Sequence, residues 1–253
     1  MIDTHAHLQW PDFDKDREQV INRAFAAGVS AIVSVGYDLG ASLEAVQIAK
    51  DHPHIFAVVG IHPHNAKTIG PKVLGSLREL AGNEKVVAIG EIGLDYYRNL
   101  SPRVVQREAF EQQMFLAKEL GLPVVIHDRE AHADVLQVLR KFSGDVVGVL
   151  HCFSGGLDMA REAINMGYSI SIAGPVTFPN ARNLHQLVQN LPMESIVLET
   201  DCPWLAPQLH RGKRNEPAFI FETAEKVAEL RGISLNQLIE ATSQNAKRLF
   251  GIH

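Results

Sequence analysis

The sequence predicts an α/β protein of the TIM-barrel type, in which eight parallel strands and their connecting helices close into a (β/α)8 barrel. Three observations predict this fold. Short β-branched runs recur along the chain, helical patterns lie between them, and the chain has 253 residues, close to the length of about 250 that is typical of one such barrel. We therefore expect residues 1–253 to form a single domain.

The predicted strands are short apolar runs separated by polar or turn residues. Runs of this kind are typical of strands that are buried on both faces of a parallel sheet. The eight runs comprise residues 2–8, 29–35, 55–61, 86–91, 124–127, 146–151, 168–172 and 196–201. No glycine-rich phosphate loop follows the first run, so a dinucleotide-binding open sheet is disfavoured.

Helical patterns alternate with these strands. They comprise residues 16–27, 41–50, 103–120, 131–141 and 157–166, and two more follow the eighth strand at 217–231 and 235–250. Gly28, Gly121 and Gly167 each follow a helical pattern, as glycines at helix C-termini do. Ser234 is the predicted N-cap of the last helix. The βα alternation over the whole chain favours a closed barrel covered by helices.

Composition excludes several classes of protein. The formal net charge of −5 excludes a broadly cationic surface that binds duplex DNA, so any anionic substrate must be held locally. Cys152 and Cys202 are too few for a disulfide framework and fit a reducing compartment, although a bond between the two stays open. Without a signal-type N-terminus or a membrane-length apolar run, we expect a cytoplasmic protein.

Five of the apolar runs end at side chains of the types that bind metal ions. Histidine is a common ligand for divalent ions, and a carboxylate can bridge two of them. The carboxyl ends of barrel strands meet at one rim, where the chemistry of such barrels takes place. The sequence therefore predicts a two-metal hydrolase centre at this rim, with the ligands His5, His7, Glu91, His127, His151 and Asp201.

The order of these residues also predicts how they divide between two ions. Side chains two apart in a strand point the same way, so His5 and His7 bind one ion together with Asp201. The second ion is bound by His127 and His151, and Glu91 bridges the two. Each residue alone has an ordinary interpretation, as a packed histidine or a solvated acid, but independent coincidence in five strands is disfavoured.

Further polar residues near these ligands are candidates for supporting roles. Asp3 and Glu199 each lie two residues before a ligand, and they are predicted to orient ligand histidines. For Asp3, a solvated residue near the barrel floor is an equal alternative. The candidates for contacting an anionic substrate are His62, His64, Tyr97, Arg129 and Arg214. The alternative for these five residues is an ordinary role as polar loop residues, packed side chains or solvated charges.

Six motifs resemble those of a known family, the TatD-type metal-dependent deoxyribonucleases among the amidohydrolase-like barrels. The motifs are DTHAHL at 3–8, GIHPH at 60–64, GEIGLDYY at 90–97, HCFSG at 151–155, ETDCPWLAP at 199–207 and GKRNEP at 212–217. They occur in the family's order and cover nearly the whole chain. Small departures are Asp128 after His127, and Cys202 and Trp204 after Asp201, which leave the ligands intact but bear on substrate preference.

The resemblance implies a hydrolase of phosphodiester bonds, acting as a 3′–5′ exodeoxyribonuclease on ends of single-stranded DNA through a metal-activated water. Asp201 is expected to accept the proton of that water, and Glu91 is the second expected catalytic residue. The resemblance implies magnesium, whereas the histidine-rich donor set favours zinc or manganese. We expect two divalent ions per chain, with magnesium sufficient for activity.

Two alternative functions remain at this point. One is hydrolysis of a small phosphoester, lactone or amide at the same site. Glu91 disfavours this alternative, because many amide-cleaving relatives have a modified lysine at the bridging position. The other is a scaffold without activity, which the complete ligand set disfavours. We expect a monomer with no membrane association and no obligate protein partner.

Overall fold

The computed structural model describes residues 1–252, and its eight strands form one parallel sheet in chain order. The strands are β1 (Ile2–Ala6), β2 (Ala31–Val35), β3 (Ile55–Val59), β4 (Val86–Asp95), β5 (Val124–Arg129), β6 (Gly148–Leu150), β7 (Tyr168–Ile172) and β8 (Ile196–Leu198). Each strand pairs in parallel with the next one. This sequential order confirms the predicted α/β barrel.

The first and last strands are joined at their carboxyl ends. The Asp201 amide donates to the His5 carbonyl at 2.8 Å, and the His7 amide donates to the Cys202 carbonyl at 2.9 Å. A parallel bridge between Ala6 and Cys202 lies beside these bonds. The sheet therefore closes on itself at the rim that carries the predicted ligands.

Nine helices cover the sheet within residues 1–252. They are α1 (Arg17–Ala27), α2 (Leu39–Asp51), α3 (Pro71–Ala81), α4 (Arg103–Leu120), α5 (His132–Lys141), α6 (Leu157–Asn165), α7 (Arg182–Asn190), α8 (Ile220–Arg231) and α9 (Leu235–Phe250). The sequence reading missed α3 and α7. α3 contains Pro71 and Gly75, which lower helix propensity, and α7 buries only Leu187 and Val188 of a largely polar sequence.

The predicted helix ends agree with the structure. Gly28 and Gly121 cap α1 and α4 with φ angles of 103° and 65°, in the left-handed region that glycine adopts without a steric penalty. Ser234 accepts the Gln237 amide at the start of α9, and the Gln237 side chain accepts the Ser234 amide in return. This capping box satisfies two amides that the helix leaves unpaired.

Alternate strand residues fill the inside of the barrel. Val125, Val149 and Val197 belong to one buried apolar cluster, which Phe250 completes. Their neighbours along each strand belong to the larger cluster that packs between the sheet and the helices. Because side chains alternate between the two faces, the residue two positions after each of these valines also points inward.

The structure corrects several of the predicted strand ends. β4 continues past Glu91 to Asp95, and β5 continues past His127 to Arg129, because Gly93 pairs with His127 and Asp95 with Arg129 beyond an irregularity between Ile89 and Ile92. Both ligands therefore lie within strands. β6 and β8 end at Leu150 and Leu198, before their ligands.

Two other features bear on the predictions from composition. Cys152 and Cys202 are free thiols. Among residues 1–252, no helix combines the length and the apolar character that crossing a bilayer requires.

Candidate metal centre

The six predicted ligands converge at the carboxyl-end rim of the barrel. His127 and His151 each follow an inward-facing valine by two residues, so strand alternation directs their rings into the barrel. His127 is partly exposed, and the other five are buried: His5, His7, Glu91, His151 and Asp201. Burial of two acids is costly unless cations or hydrogen bonds compensate for it.

Glu91 lies at the centre of this group. Its Oε2 atom is 3.6 Å from His5 Nε2 and 3.7 Å from His7 Nε2. Its Oε1 atom is 2.7 Å from His127 Nδ1 and 2.8 Å from His151 Nε2. The two carboxylate oxygens therefore serve different sets of donors. We call the set of His5, His7, Asp201 and Glu91 Oε2 subsite A, and the set of His127, His151 and Glu91 Oε1 subsite B.

Subsite A has the spacing of a tetrahedral metal site. The Nε2 atoms of His5 and His7 lie 3.1 Å apart, and Asp201 Oδ1 is 3.7 Å and 3.5 Å from them. Ligands at 2.0–2.1 Å from a tetrahedral ion are about 3.3 Å from one another. These donors therefore fit a divalent ion without rearrangement of the strands that carry them.

Subsite B contributes three donors and lies beside His62. His127 Nδ1 and His151 Nε2 are 3.2 Å apart, and His62 Nε2 is 3.5 Å from Glu91 Oε1. His62 Nδ1 accepts the His64 amide, so a neutral His62 ring carries its proton on Nε2. Burial lowers the pKa of His62 to about 4. We therefore assign His62 as a hydrogen-bond donor next to subsite B and not as a ligand.

Two ligand histidines are oriented by hydrogen bonds on the side of the ring that faces away from the centre. His7 Nδ1 donates to the Val35 carbonyl at 2.7 Å, which leaves Nε2 free to bind an ion. His127 Nε2 lies 3.3 Å from Asp95 Oδ2, which leaves its Nδ1 for subsite B. The sequence analysis did not single out Asp95, which is wholly buried and lies four residues after Glu91 in the extended part of β4.

A third acid lies beneath both subsites. The His5 and His151 rings stack with centroids 4.1 Å apart, and the Nδ1 atoms of both rings have no hydrogen-bond partner. Glu199 Oε1 is 3.4 Å from His151 Nδ1 and accepts the Cys152 amide, while its Oε2 is unpartnered. The three side chains lie close enough to form one group. Glu199 is therefore placed to accept a hydrogen bond from His5 of subsite A and from His151 of subsite B.

Asp3 does not have the same role. Its carboxylate accepts the Thr200 amide, the Thr200 hydroxyl and the His5 amide, at 2.9, 2.6 and 3.3 Å. Burial raises the pKa of Asp3 to about 8. The prediction that Asp3 orients a ligand ring is therefore wrong, because it binds the backbone that joins β1 to the residues after β8.

The backbone is tightly constrained around the ligands. Asp201 and Cys152 adopt left-handed φ angles of 54° and 41°, which are uncommon for residues other than glycine and occur often at functional sites. Gly93 has φ 135°, and a Cβ atom there would lie 2.0 Å from the His127 carbonyl oxygen. A side chain at position 93 would therefore push His127 out of subsite B.

The electrostatic field of the centre favours cations. Burial alone would raise the pKa of Glu91, but the charge of His151 and hydrogen bonds from His127 and His151 outweigh it and hold that pKa well below its usual range. Burial alone would lower the pKa of His151, but Glu91 and Glu199 raise it well above the usual value. A buried carboxylate that stays ionised among imidazole rings favours the binding of metal ions beside it.

The structure separates the predicted substrate contacts into two groups. His64 Nε2 is 2.8 Å from Asp95 Oδ2, near subsite B. The Arg129 guanidinium lies 4.0 Å above the ring of Tyr97, which is 63% exposed. These residues lie along the ends of β3, β4 and β5, around the side of the rim that carries subsite B.

Arg214 belongs to a different environment. Its guanidinium binds both carboxylate oxygens of Asp16 at 2.8 and 2.7 Å, as well as the Asp12 carbonyl and Glu216. The loop that contains Arg214 folds back onto the start of α1, so these acids occupy its donors. The prediction that Arg214 contacts the substrate therefore receives no support from its surroundings.

Comparison with known proteins gives consistent matches over the whole chain. Residues 2–251 match the family described as TatD related DNase. The chain is 42% identical to the metal-dependent hydrolase YabD of Bacillus subtilis strain 168, with 100% of both chains covered. It is 38% identical to the 3′-5′ ssDNA/RNA exonuclease TatD of Erwinia amylovora, again with 100% of both covered.

A crystal structure of a relative has the same fold. The TatD homologue YJJV of Escherichia coli K12 superimposes with a TM-score of 0.94 at 30% sequence identity. The match covers 100% of this chain and 98% of that one. The barrel fold of this chain therefore has a solved counterpart.

Proposed function

This chain belongs to the family of TatD-related DNases, which includes metal-dependent hydrolases, and we propose that it is a 3′–5′ exonuclease that acts on single-stranded nucleic acid ends. The observation that carries the proposal is the position of Glu91, with one carboxylate oxygen in each of two donor sets. Paired ions are a recurrent arrangement for in-line displacement at phosphorus. The name of the Erwinia relative supports the polarity and the single-stranded substrate.

We propose that two divalent ions bind per chain, one in each subsite, with Glu91 shared. Bound there, such ions lower the pKa of water and offset the negative charge of a phosphodiester. The donor chemistry fits zinc or manganese because four of the six ligands are imidazoles, and the oxygen donors make magnesium sufficient for activity.

Asp201 is the proposed acceptor of the proton of the attacking water. Burial alone would raise its pKa, but the hydrogen bond with His7 and the charges of His5 and His151 outweigh burial and lower the pKa. Asp201 is therefore ionised at neutral pH. Its Oδ1 atom faces His5 and His7, and the second oxygen of the carboxylate is assigned to the proton.

Three side chains are proposed to position the phosphate. His62 offers the proton on Nε2 beside subsite B. His64 is held by Asp95, and Arg129, which lies over the exposed ring of Tyr97, supplies a permanent positive charge. Donors of this kind lower the barrier when they face the oxygens on which charge develops.

We also propose that the chain acts as a one-domain monomer in the cytoplasm. Its two cysteines are free, as in a reducing compartment. A family match over residues 2–251 leaves one catalytic unit per chain.

The proposed function is tested by incubating the protein with single-stranded DNA labelled at either the 5′ or the 3′ end, with magnesium or manganese. A 5′ label should give a ladder that shortens with time, and a 3′ label should be released at once as a mononucleotide. Chelator and Asp201→Asn should both abolish cleavage, whereas Asp14→Asn, which alters an exposed acid that pairs with Arg17, should not. If the ion-loaded protein cleaves no oligonucleotide, the proposal is wrong.

A further inference from the structure

Three aromatic rings form a wall beside subsite A. Trp10 and Trp204 meet edge to face with centroids 4.7 Å apart, and Tyr37 packs against Trp10 at 5.1 Å. The His7 ring lies 5.1 Å from Trp204 and 5.9 Å from Tyr37. We call Trp10, Tyr37 and Trp204 the aromatic wall. It therefore borders a ligand directly.

Backbone hydrogen bonds hold two of these rings to the ligands of subsite A. The Trp10 amide donates to the His7 carbonyl at 2.9 Å, and the Trp204 amide donates to the Asp201 carbonyl at 3.0 Å. The wall is carried by the segments that follow β1, β2 and β8, which are neighbours around the barrel. Its position relative to subsite A is thus set by the same turns that place the ligands.

The wall is only partly covered. Trp204 is 41% exposed, and Trp10 is partly buried. Keeping a large aromatic surface in water at the mouth of a polar site is unfavourable unless a ligand covers it. The guanidinium of Arg17 donates to the Leu8 carbonyl and to Asp14. Arg17 therefore does not supply a free positive charge on this side of the rim, and the aromatic rings are what a ligand would meet there.

The opposite side of the rim has different chemistry. There, His62, His64 and Arg129 supply donors and positive charge, which suit phosphate oxygens. A nucleotide has a group that suits each side of the rim, because it carries an anionic phosphate and, on the adjoining sugar, a flat base. Because the His7 ring contacts both Trp204 and Tyr37, a nucleotide with its phosphate at the centre would have the wall beside it.

We propose that the aromatic wall is a base-stacking subsite, and that Trp204 supplies its exposed surface to a nucleobase of the strand that is being cleaved. This inference rests on the proposed function, because it places the scissile phosphate at the metal centre. Stacking requires an unpaired base and is tolerant of base identity, so the wall selects single strands without selecting sequence.

The kinetic test compares an intact single-stranded oligonucleotide with oligonucleotides that carry one abasic residue at the last or next-to-last position. Stacking of one base is worth about 5- to 150-fold in binding, so the wild-type protein should lose a factor of this size in kcat/KM on one abasic substrate. Trp204→Ala should lose a similar factor on the intact strand and nothing more on that abasic substrate.

Two variants serve as matched comparisons. Trp204→Phe keeps an aromatic face and should retain most of the discrimination. Leu209→Ala removes a 79%-exposed apolar side chain from the same segment after β8, and it should behave as the wild type. If Trp204→Ala slows cleavage of intact and abasic strands equally, the ring supports only His7 and the proposal is wrong. If the wild-type protein cleaves neither strand, the proposed function fails instead.

A binding test needs no catalysis. The chain has two tryptophans, and both belong to the wall, so intrinsic tryptophan fluorescence reports on this subsite alone. Thymidine 5′-monophosphate should change the emission of the ion-loaded protein in a saturable way, and deoxyribose 5-phosphate should not. Equal responses to both compounds would overturn the proposal even if cleavage is observed.

Discussion

Subsites A and B share Glu91 but differ in their number of donors and in their surroundings. Subsite A has four donor atoms, and the Nε2 atoms of His5 and His7 lie 3.1 Å from each other and 3.5–3.7 Å from Glu91 Oε2 and Asp201 Oδ1. His5, His7 and Asp201 lie at the seam where β1 meets the residues after β8. Subsite B has three donors on the adjacent strands β4, β5 and β6 or just after them, and His127 is partly exposed. The wall of aromatic rings covers the flank of A, whereas hydrogen-bond donors flank B.

This difference indicates how one carboxylate can support two metal sites with different affinities. A full set of protein donors retains an ion, whereas an incomplete set leaves a coordination position for water or substrate. We therefore expect subsite A to bind its ion more tightly and subsite B to exchange more readily. The following predictions test this division.

The largest effect should come from Glu91→Gln, because this change removes the donor that both subsites share. An amide does not offer two anionic oxygens, so both ions should bind more weakly. Loss of several kcal/mol of transition-state stabilisation corresponds to about 10³-fold in kcat/KM. Metal analysis after dialysis, together with cleavage kinetics, measures both effects. Two retained ions with near-normal activity would show that Glu91 is not the bridge.

A paired comparison of Asp201→Asn with His127→Ala separates the two subsites. Asp201→Asn should remove the tight ion and abolish turnover, because it changes both a ligand and the proposed proton acceptor. His127→Ala should leave one tight ion and reduce activity strongly, with residual cleavage at high metal concentration. Calorimetric titration with manganese gives the number of sites and their affinities. The division is wrong if both variants lose the same ion.

Glu199→Gln should weaken both subsites together. Glu199 lies against one histidine of each subsite, and groups that orient metal ligands typically contribute 10- to 100-fold to metal affinity. We expect a loss of about this size at each subsite with an unchanged melting temperature for the protein without added metal. A loss confined to subsite B would mean that Glu199 supports only His151.

The response to pH should differ between the subsites. Burial alone lowers the pKa of His127, but hydrogen bonds to Asp95 and Glu91 raise it, and the pKa of His151 is raised by Glu91 and Glu199. Burial lowers the pKa of His5 in subsite A. Protons thus compete with the ion chiefly at B, and lowering the pH from 8 to 6 should weaken binding at B more than binding at A. Manganese titrations at several pH values test this, and equal slopes for A and B would contradict it.

The smallest effects should separate two arginines near the rim. Arg129→Ala should raise KM for single-stranded DNA by about tenfold, the value of one charge-assisted contact, without changing the melting temperature. Arg214→Ala should leave KM unchanged and cost about 1 kcal/mol of stability through the lost ion pairs with Asp16 and Glu216. The reverse pattern, measured by thermal unfolding and kinetics, would exchange these assignments.

Those two arginines also show what a sequence can and cannot predict. Ligands such as His127 and His151 follow apolar runs, and strand alternation is a local rule, so the sequence was sufficient to bring them to one rim. Arg129 and Arg214 look equivalent in sequence. The contact between Arg214 and Asp16, nearly two hundred residues apart in the chain, shows that donors of Arg214 are occupied.

Other features escaped prediction for similar reasons. The role of Asp95 depends on an unexpected extension of β4 beyond Glu91, which brings its carboxylate to His64 and His127. The aromatic wall combines residues from three separate loops, and no spacing in the sequence links Trp10 with Trp204. Long-range packing decided these features, whereas local periodicity decided the barrel.

The most direct test of the division into two subsites is anomalous diffraction from crystals of the manganese-loaded protein. Two peaks should appear on either side of Glu91, about 3.5–4 Å apart as in paired metal sites. The stronger peak should lie among His5, His7 and Asp201, and the weaker one between His127 and His151. A single peak, or equal peaks that both survive in Glu91→Gln, would contradict the shared-carboxylate arrangement.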